Sequence, residues 1–458
     1  MIKLGELFDL SGEVGEDGER YAILRAKIPP EFYTLIEDET LFMISRRAVP
    51  AWGEGENTDK LAPLFEAYTS HVFTKRDLRH LASFPRISLL NEEAREYLKR
   101  RQDQWDDFSI SQSFEGPRIA VYYSDRWHIS TETSLDASTM YGATGKTVRE
   151  YFLDVYRHKF GREFVVGPPP PGLGPLEPPA SLDSTICYHF VVLHNKLKHI
   201  VQYMNLGHEY KELALTGAVR VADQVRVADQ GAGAVVVDVE ETRFIRPSVY
   251  HFSCLDELEA TMEKITYDNA IYKRISTEGF MVRHGVRLLK LQTEIYLQVA
   301  KLKPLNQNNY QVYLELYQRD KLNDILPFIS KYSNEIIHRI NMSMRTLSRE
   351  ILNIYHTTRK KKNCELYDLL SDQYKKILYG IHGMYIKGRR KDFVNGREVE
   401  DKDTRSITVH DIYYYLKNLP AGHLRQVYLD RMDLMKNAVV IPYLNMNCIY
   451  TLTQTRLM

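Results

Sequence analysis

Side chains that could act on a phosphate group stand in two short stretches of this 458-residue chain. The first reads Ser113-Phe-Glu-Gly-Pro-Arg118, and the second holds Glu278-Gly279 followed by Lys290. Nucleotidyl transfer through a lysine requires an amine nucleophile, an acidic group near the ribose, carboxylates for a divalent metal and lysines against the α-phosphate. The two stretches offer several of these groups, although the first contains no lysine.

The segments around these stretches read as strands joined by tight turns. The runs RIAVYY and WHIST flank Ser124-Asp125-Arg126, and GFMVRH precedes RLLKLQT, so each pair predicts a hairpin. The runs YHFVVLH and KHIVQYM predict a further hairpin around Asn195-Lys196, and Val148–Tyr156 predicts a helix. Together these elements predict an α+β domain whose sheet is mainly antiparallel.

The chain becomes helical after Asn306, where apolar residues recur at spacings of three and four. Further helices are predicted near Tyr367–Tyr385 and over Val409–Leu419, before Pro420. The C-terminal part is therefore predicted to be an all-α domain.

This helical part is also basic. Between Lys301 and Asn395 stand 18 Lys and Arg against 9 Asp and Glu, although the whole chain carries a net charge of only +1. Such a surplus favours a polyanionic partner, RNA or another nucleic acid, while solvated lysines on helix faces are the alternative. The candidate nucleic-acid-binding residues are Arg359, Lys360, Lys361, Lys362, Arg389, Arg390 and Lys391.

Composition narrows the class of protein. Hydrophobic residues make up 44% and charged residues 26%, as in an ordinary globular protein. No apolar run approaches the roughly 20 residues of a membrane-spanning helix, so we expect a cytoplasmic protein with no membrane partner. The four cysteines show no pairing pattern for a disulfide framework or a zinc site.

Four segments, in this order, resemble the motifs of the phage-type ATP-dependent single-strand RNA ligases, especially the divergent forms of large DNA viruses. They are Phe84–Glu93, Ser113–Thr131, Tyr188–Tyr203 and Glu278–Pro304. The resemblance implies a mainly antiparallel, ligase-type nucleotidyltransferase domain, unrelated to ATP-grasp, followed by an all-α domain. The implied division is an N-terminal segment of unknown role (1–80), the nucleotidyltransferase domain (81–305, with insertions at 167–179 and 216–234), the basic helical domain (306–435) and a tail (436–458).

The resemblance also implies roles for single residues, with ATP and magnesium as cofactors. Ser113 stands at the position of the family's nucleophilic lysine. Glu115 and Gly116 match the acid and glycine that follow it, and Arg118 matches the trailing arginine. The remaining implied assignments are Phe190 beside the adenine, Glu278 as the metal-side carboxylate and Lys290 as the first phosphate lysine.

The departures from the family pattern fall where the chemistry would occur. Ser113 replaces the lysine, Glu132 stands where a basic residue is usual, Val191 where a glutamate is usual, and Gln292 replaces the second phosphate lysine. A serine cannot form the lysine phosphoramidate, so we expect a protein that binds RNA, and ATP, with impaired adenylyl transfer.

Two alternatives remain open. The first is an active ligase that uses another lysine, such as Lys146, or accepts a preadenylated end. The second is a structural or transcription-complex subunit of a large DNA virus, found in the host cytoplasm, the viral factory or the virion.

Overall fold

The computed structural model describes residues 4, 8, 19–47, 61–139, 145–166, 182–197, 199–207, 209–220, 243–302, 309–329, 333–359, 361–388, 392–394, 397–399 and 406–444. The chain divides into two compact units, Met1–Leu297 and Gln298–Met458. The first unit is α+β and the second is helical apart from one short hairpin. The division falls eight positions before the end of the predicted nucleotidyltransferase domain.

The first sheet is an antiparallel meander in the order β1-β2-β3-β4. Its strands are β1 (Tyr33–Glu37), β2 (Leu41–Arg46), β3 (Tyr68–Thr74) and β4 (His80–Pro85), and helix α1 (Glu19–Lys27) precedes them. Buried residues of β2, β3 and β4 share one core with Ala120 and Tyr122. One face of this sheet thus packs with residues later in the chain, and the boundary predicted at residue 80 falls at the first residue of β4.

The second sheet has the order β10-β9-β7-β8 and is antiparallel throughout. Its strands are β7 (Arg118–Tyr123), β8 (Trp127–Ser130), β9 (Ile186–His194) and β10 (Lys211–Arg220). One face packs against α3 (Val148–Phe160), whose buried residues recur at helical spacing. Thr147 caps α3 in a capping box with Glu150, and Gly161 ends the helix at a φ of +67°.

The predicted hairpin β7–β8 is confirmed, but the one predicted around Asn195-Lys196 is wrong. Strand β9 pairs with β10, and the described residues among 197–203 form no strand. The backbone N–H groups of Ile200 and Val201 donate instead to the Glu115 carboxylate, at 2.6 and 2.7 Å. A distant side chain therefore takes the amides that a strand would have used in its ladder.

The third sheet has the order β11-β6-β12-β13-β5 and is antiparallel except for the parallel pair β13–β5. Its strands are β5 (Ile87–Leu90), β6 (Phe108–Gln112), β11 (Val249–Tyr250), β12 (Gly279–His284) and β13 (Arg287–Gln292). Helices α2 (Asn91–Lys99) and α4 (Leu255–Tyr272) share a core with it. The predicted hairpin β12–β13 is confirmed.

Both predicted insertions lie largely beyond what the structure describes. Residues 167–179 are outside the described residues, as are 221–234 of the second insertion. Its first part, 216–220, belongs to β10.

Helix α5 (Glu294–Leu302) contains the division between the two units. The helices after it are α6 (Asn309–Gln318), α7 (Leu322–Ile329), α8 (Ser333–Arg359), α9 (Cys364–Leu369), α10 (Asp372–Gly388), α11 (Val409–Lys417) and α12 (Ala421–Leu434), with a hairpin of β14 (Asp392–Val394) and β15 (Arg397–Val399). The long helix α8 packs against α11, and α12 packs against α6 and α10. The predicted helical character of this part of the chain is confirmed.

A buried ion pair joins two helices of the second unit. Glu350 on α8 accepts hydrogen bonds from the Arg431 guanidinium on α12, at 2.7 Å from Nε and 2.6 Å from Nη2. In the part of the chain that the structure describes, no helix combines the length and apolar character needed to cross a membrane.

Candidate nucleotide-binding cleft

A cleft of about 700 Å³ opens between the second and third sheets, with the end of β4 on one side. Its volume lies within the range of small-molecule sites. Of the residues that the sequence singled out at this site, Gln292 is not among the lining residues, and the others border the cleft: Ser113, Glu115, Gly116, Arg118, Glu132, Phe190, Val191, Glu278 and Lys290. The structure therefore brings together residues from four separate segments of the chain.

Glu278 is the centre of a hydrogen-bonded network in this cleft. Its Oε1 accepts from Lys290 Nζ at 2.6 Å and from Gln292 Nε2 at 2.7 Å, and its Oε2 accepts from Ser113 Oγ at 3.0 Å. The Glu278 side chain is only 4% exposed. A carboxylate so far from water needs partners of this kind, because an unpaired buried charge is strongly unfavourable.

Gln292, which stands in place of the family's second phosphate lysine, has a definite part in this network. Its amide is oriented by Asn91, whose Nδ2 donates to Gln292 Oε1 at 3.1 Å and whose Oδ1 accepts from the Gln292 backbone N–H at 2.9 Å. With its oxygen occupied, the Gln292 amide presents its nitrogen to Glu278. Gln292 therefore positions the carboxylate.

Gly279 allows the backbone to place Glu278 in the cleft. Its φ is +147°, and a Cβ built on it would lie 2.0 Å from the Leu291 carbonyl oxygen. Only glycine fits such an approach of two strands. The Gly279 carbonyl in turn accepts from the backbone N–H of Ser113 at 3.0 Å, which holds Ser113 beside Glu278.

Glu115 fixes the loop between β6 and β7. Its carboxylate accepts the two amides of Ile200 and Val201, and its own backbone N–H donates to the Tyr203 hydroxyl at 2.8 Å. The same hydroxyl donates back to the Glu115 carbonyl oxygen at 3.1 Å. Glu115 therefore shapes the wall of the cleft through backbone contacts.

Gly116 follows in the same loop, where space is restricted. A Cβ at this position would lie 2.6 Å from the Val192 carbonyl oxygen and 2.8 Å from a methyl group of Val191. The Glu-Gly pair of the first motif thus has two structural explanations, an anchored carboxylate and a close approach to β9.

Tyrosines surround the two carboxylates. Burial, together with the negative charges of Glu115 and Glu278, raises the pKa of Tyr203 and Tyr296. Burial and Glu115 raise the pKa of Tyr210 to about 12. These hydroxyls therefore stay protonated at neutral pH and serve as hydrogen-bond donors.

Arg118 and Glu132 pair with each other at the edge of the cleft. Arg118 Nη2 donates to Glu132 Oε2 at 2.7 Å, and Nη1 donates to the Pro85 carbonyl at 3.4 Å. Both side chains are more than a third exposed, so the pair contributes little stability. The acid at position 132, unexpected from the family pattern, is accounted for by this partner.

Phe190 is placed differently from the prediction. It borders the cleft, but its side chain is 1% exposed and its ring packs in the core, 4.9 Å from the Phe244 ring centroid. Strand residues alternate between faces, and Phe190 belongs with Tyr188 and Val192 in the core on the α3 side of the sheet. The aromatic ring available on the cleft side of β9 is His189, 6.2 Å from the ring of Phe84.

His189 is a neutral aromatic group. Burial, reinforced by the positive charges of Arg118 and Arg283, lowers the pKa of His189 to about 4. At neutral pH it therefore adds no positive charge to the cleft.

The sequence reasoning missed Arg283. This half-buried residue lies on β12, lines the cleft, and makes no side-chain hydrogen bond or ion pair with any residue that the structure describes. Burial lowers the pKa of its guanidinium. The sequence could have indicated Arg283, because side chains alternate between the two faces of a strand. Along GFMVRH this alternation places Met281 and Arg283 on the same face.

Glu278 does not fit the role of a metal ligand that the resemblance implies. Both of its oxygens already accept hydrogen bonds, one of them from the Lys290 ammonium group. Within the described ranges, no three His, Cys, Asp or Glu side chains come together as a metal site.

The other candidate residues lie away from this cleft. Lys146, the alternative lysine, is exposed just before α3 and is not among the lining residues. In the second unit Arg359, Lys361 and Lys362 are exposed at the end of α8 and just beyond it. The remaining basic candidates, Lys360, Arg389, Arg390 and Lys391, lie outside the described residues.

Comparison with known proteins adds no relative whose chemistry could be transferred to this cleft. The chain matches no protein-family model, and no curated protein matches it significantly.

Proposed function

We propose that this chain is a nucleotidyltransferase-fold protein of the RNA ligase type, which binds a nucleoside triphosphate in the cleft but does not form a lysyl-nucleotide intermediate. The main observation behind this proposal is a hydrogen-bonded network in which Ser113 and Lys290 both contact the Glu278 carboxylate. These residues occupy the positions at which the family has its nucleophile, its motif carboxylate and its first phosphate lysine.

The form of the cleft supports nucleotide binding. It lies between two sheets, has apolar walls from residues such as Ile119, Met281 and Leu288, and carries a lysine near one end. A base requires apolar, flat surroundings, and a phosphate requires a cation and hydrogen-bond donors. The cleft offers both within one enclosed volume.

The chemistry of Ser113 supports loss of the covalent step. Its hydroxyl donates to Glu278, whose Oε1 also accepts from Lys290 and Gln292. An alcohol without an effective base is a poor nucleophile, and it cannot replace an amine in a phosphoramidate. The residues present thus favour binding of the nucleotide over its activation.

One observation favours a second candidate, an enzyme with a relocated amine. Lys290 Nζ and Ser113 Oγ contact the same carboxylate, so the Lys290 amine lies near the place that a lysine at position 113 would reach. Lys146 is less suitable because it does not line the cleft. Glu278, however, holds Lys290 as an ammonium partner, and an ammonium group is not nucleophilic.

RNA is the proposed macromolecular partner, through the helical unit. Its support is the surplus of nine positive charges between Lys301 and Asn395. Arg359 and Lys375 lie over the ring of Tyr367, at 5.6 and 5.7 Å, so an aromatic side chain stands within the basic surface. Cations beside an aromatic ring suit a single-stranded nucleic acid.

Two measurements on the full chain test the proposal. Calorimetric titration with ATP and with GTP, in magnesium buffer, should show saturable binding that the double variant Lys290→Met with Glu278→Gln weakens and Lys146→Ala leaves unchanged. Intact mass after incubation with each nucleotide should show no covalent addition to the wild type, and at most a trace on Ser113→Lys.

The outcomes separate the candidates. Absence of any binding would overturn the nucleotide proposal. Covalent addition to wild-type protein, mapped to Lys290 and abolished by Lys290→Arg, would show that the second candidate is correct.

A further inference from the structure

Strands β6, β12 and β13 form the floor of the cleft, and the side chains on this floor differ in charge from one end to the other. Across β6, β12 and β13 the register places Ser111, Met281 and Lys290 in one row, and Ser109, Arg283 and Leu288 in the next. Ser113 and Glu278 lie beyond the first of these rows. From Ser113 to Ser109 the floor extends roughly 13 Å at the usual rise of a strand.

The two ends have different electrostatics. At the Ser113 end, the Lys290 ammonium is balanced by Glu278 at 2.6 Å. At the other end, the Arg283 guanidinium has no side-chain hydrogen bond or ion pair within the described part of the chain. Its charge and its five N–H donors are therefore available to a ligand.

The surroundings of Arg283 favour a neutral group with acceptor atoms over a phosphate. Tyr68 and His189 are close enough to interact electrostatically with Arg283, and both are uncharged at neutral pH, because burial raises the pKa of Tyr68 and lowers that of His189. The other cations that line the cleft are Lys290, Arg118 and Arg246, and the first two are paired with Glu278 and Glu132. Aromatic and aliphatic walls beside an arginine suit the edge of a planar base.

The length of the floor sets the orientation of the ligand. The Lys290 ammonium contacts Glu278 beside Ser113, so the Ser113 end suits the phosphates. Ser109, the partner of Arg283 in the register, lies roughly 13 Å from Ser113 along the strand, which is comparable with the length of an extended nucleoside phosphate. A nucleotide bound this way presents the edge of its base to Arg283.

We propose that Arg283 selects guanine over adenine in this cleft; this inference rests on the proposed nucleotide-binding function. The guanidinium fork matches the adjacent O6 and N7 acceptors of guanine. Adenine places the N6 amino group, a donor, at the position of O6, where it would meet the donors of Arg283. The base preference would then differ from the ATP that the family resemblance implies.

The test compares three triphosphates by calorimetric titration of the full chain: GTP, ITP and ATP. Inosine keeps O6 and N7 but lacks the N2 amino group, so it isolates the contact assigned to Arg283. We expect GTP and ITP to bind at least about tenfold more tightly than ATP.

Two variants and a control refine the test. Arg283→Gln should reverse the preference toward ATP, because a glutamine amide pairs with N6 and N7 of adenine. Arg283→Lys retains the charge without the fork, and should bind all three nucleotides with reduced discrimination. Arg126→Gln, in the β7–β8 turn, should leave the wild-type preference intact.

The results distinguish the two proposals. Failure of all three nucleotides to bind would overturn both of them. Equal or tighter binding of ATP by the wild type would overturn the guanine assignment alone, as would tight ITP binding that neither Arg283 variant alters. If Arg283→Gln fails to fold, the comparison of ITP with ATP on wild-type protein still tests the guanine assignment.

Discussion

The hydroxyl of Ser113 donates a 3.0 Å hydrogen bond to Oε2 of Glu278, a residue 165 positions later in the chain. The opposite oxygen of the same carboxylate accepts from Lys290 and Gln292. Serine therefore completes a satisfied network at the position where the resembling family carries a nucleophile. With serine at this position, both oxygens of the buried Glu278 carboxylate have hydrogen-bond donors.

Removing the Lys290 ammonium group should strongly destabilise the first unit. Lys290→Met leaves the Glu278 carboxylate buried without its cation, and broken buried pairs of this kind cost about 3 to 5 kcal/mol. The measurement is the free energy of unfolding of the first unit in urea at pH 7. Lys146→Met, at an exposed site, is the matched control and should change it by less than about 0.5 kcal/mol.

The double variant Lys290→Met with Glu278→Gln checks the cause. It should recover part of the lost stability, because the uncompensated charge is gone. If Lys290→Met alone unfolds like the wild type, the network does not support the cleft.

Gly279→Ala should be among the most damaging single substitutions in the first unit. The left-handed φ of +147° and a Cβ 2.0 Å from the Leu291 carbonyl oxygen both oppose a side chain, so we expect a loss of more than about 2 kcal/mol. Gly383→Ala on α10 is the contrasting control, because a Cβ there meets nothing within 4 Å and alanine is the better helix former by up to about 1 kcal/mol. Equal melting temperatures for wild type and Gly279→Ala would contradict the backbone argument for Glu278.

Much of the sheet architecture could be predicted from local pattern. The runs RIAVYY, rich in β-branched and aromatic residues, and GFMVRH identified β7 and β12, together with the turns that follow them. The segment after Asn195 misled the prediction, because its apolar residues resemble a strand while the amides of Ile200 and Val201 bind Glu115. An interaction across some 85 positions is not visible in a local window.

The site was predicted less completely than the sheets. Motif order brought Ser113, Glu278 and Lys290 together correctly, because the motifs mark strand ends that face one space. The side of β9 that faces the cleft could not be read from its continuous burial, so the prediction named Phe190, whose ring packs in the core, and passed over His189. Arg283 lies within the segment Glu278–Pro304, but the resemblance gives it no role, and the groups that surround its guanidinium come from strands far apart in the chain.

Stability should fall with acid through a buried histidine pair in the first sheet. Neutral His71 donates from Nε2 to the Leu64 carbonyl at 2.9 Å, so its Nδ1 accepts from His80 Nε2 at 3.2 Å. Burial lowers the pKa of His71 to about 4 and also lowers that of His80. In the unfolded chain each would titrate near the ordinary value of 6.5.

The sign follows from which state binds protons. Between pH 6.5 and 4 the unfolded chain is the more protonated, so the free energy of unfolding falls as pH falls through this window, by on the order of 3 kcal/mol for His71. Melting temperatures between pH 7 and 5.5 measure the slope, which His71→Gln should flatten. His158→Gln, at an exposed site on α3, should retain the wild-type slope. A His71→Gln profile parallel to the wild type would show that the pair does not control the acid response.

The helical unit should bind RNA with a strong dependence on salt. Arg359, Lys361 and Lys362 are exposed at the end of α8 and just beyond it, and Arg359 lies over the ring of Tyr367. Each phosphate that they neutralise releases counterions from the nucleic acid. Replacing all three by glutamine should weaken binding of a single-stranded RNA and reduce the slope of log affinity against log salt by roughly 0.7 for each phosphate that is no longer neutralised.

Lys436→Gln is the control, because that exposed lysine is paired with Asp433 at 2.6 Å and lies outside the basic region. Fluorescence anisotropy with a labelled oligonucleotide at several salt concentrations gives both quantities. A reduced slope in the triple variant alone would assign the phosphate-binding role to this surface, whereas an unchanged slope would mean that these charges are merely solvated.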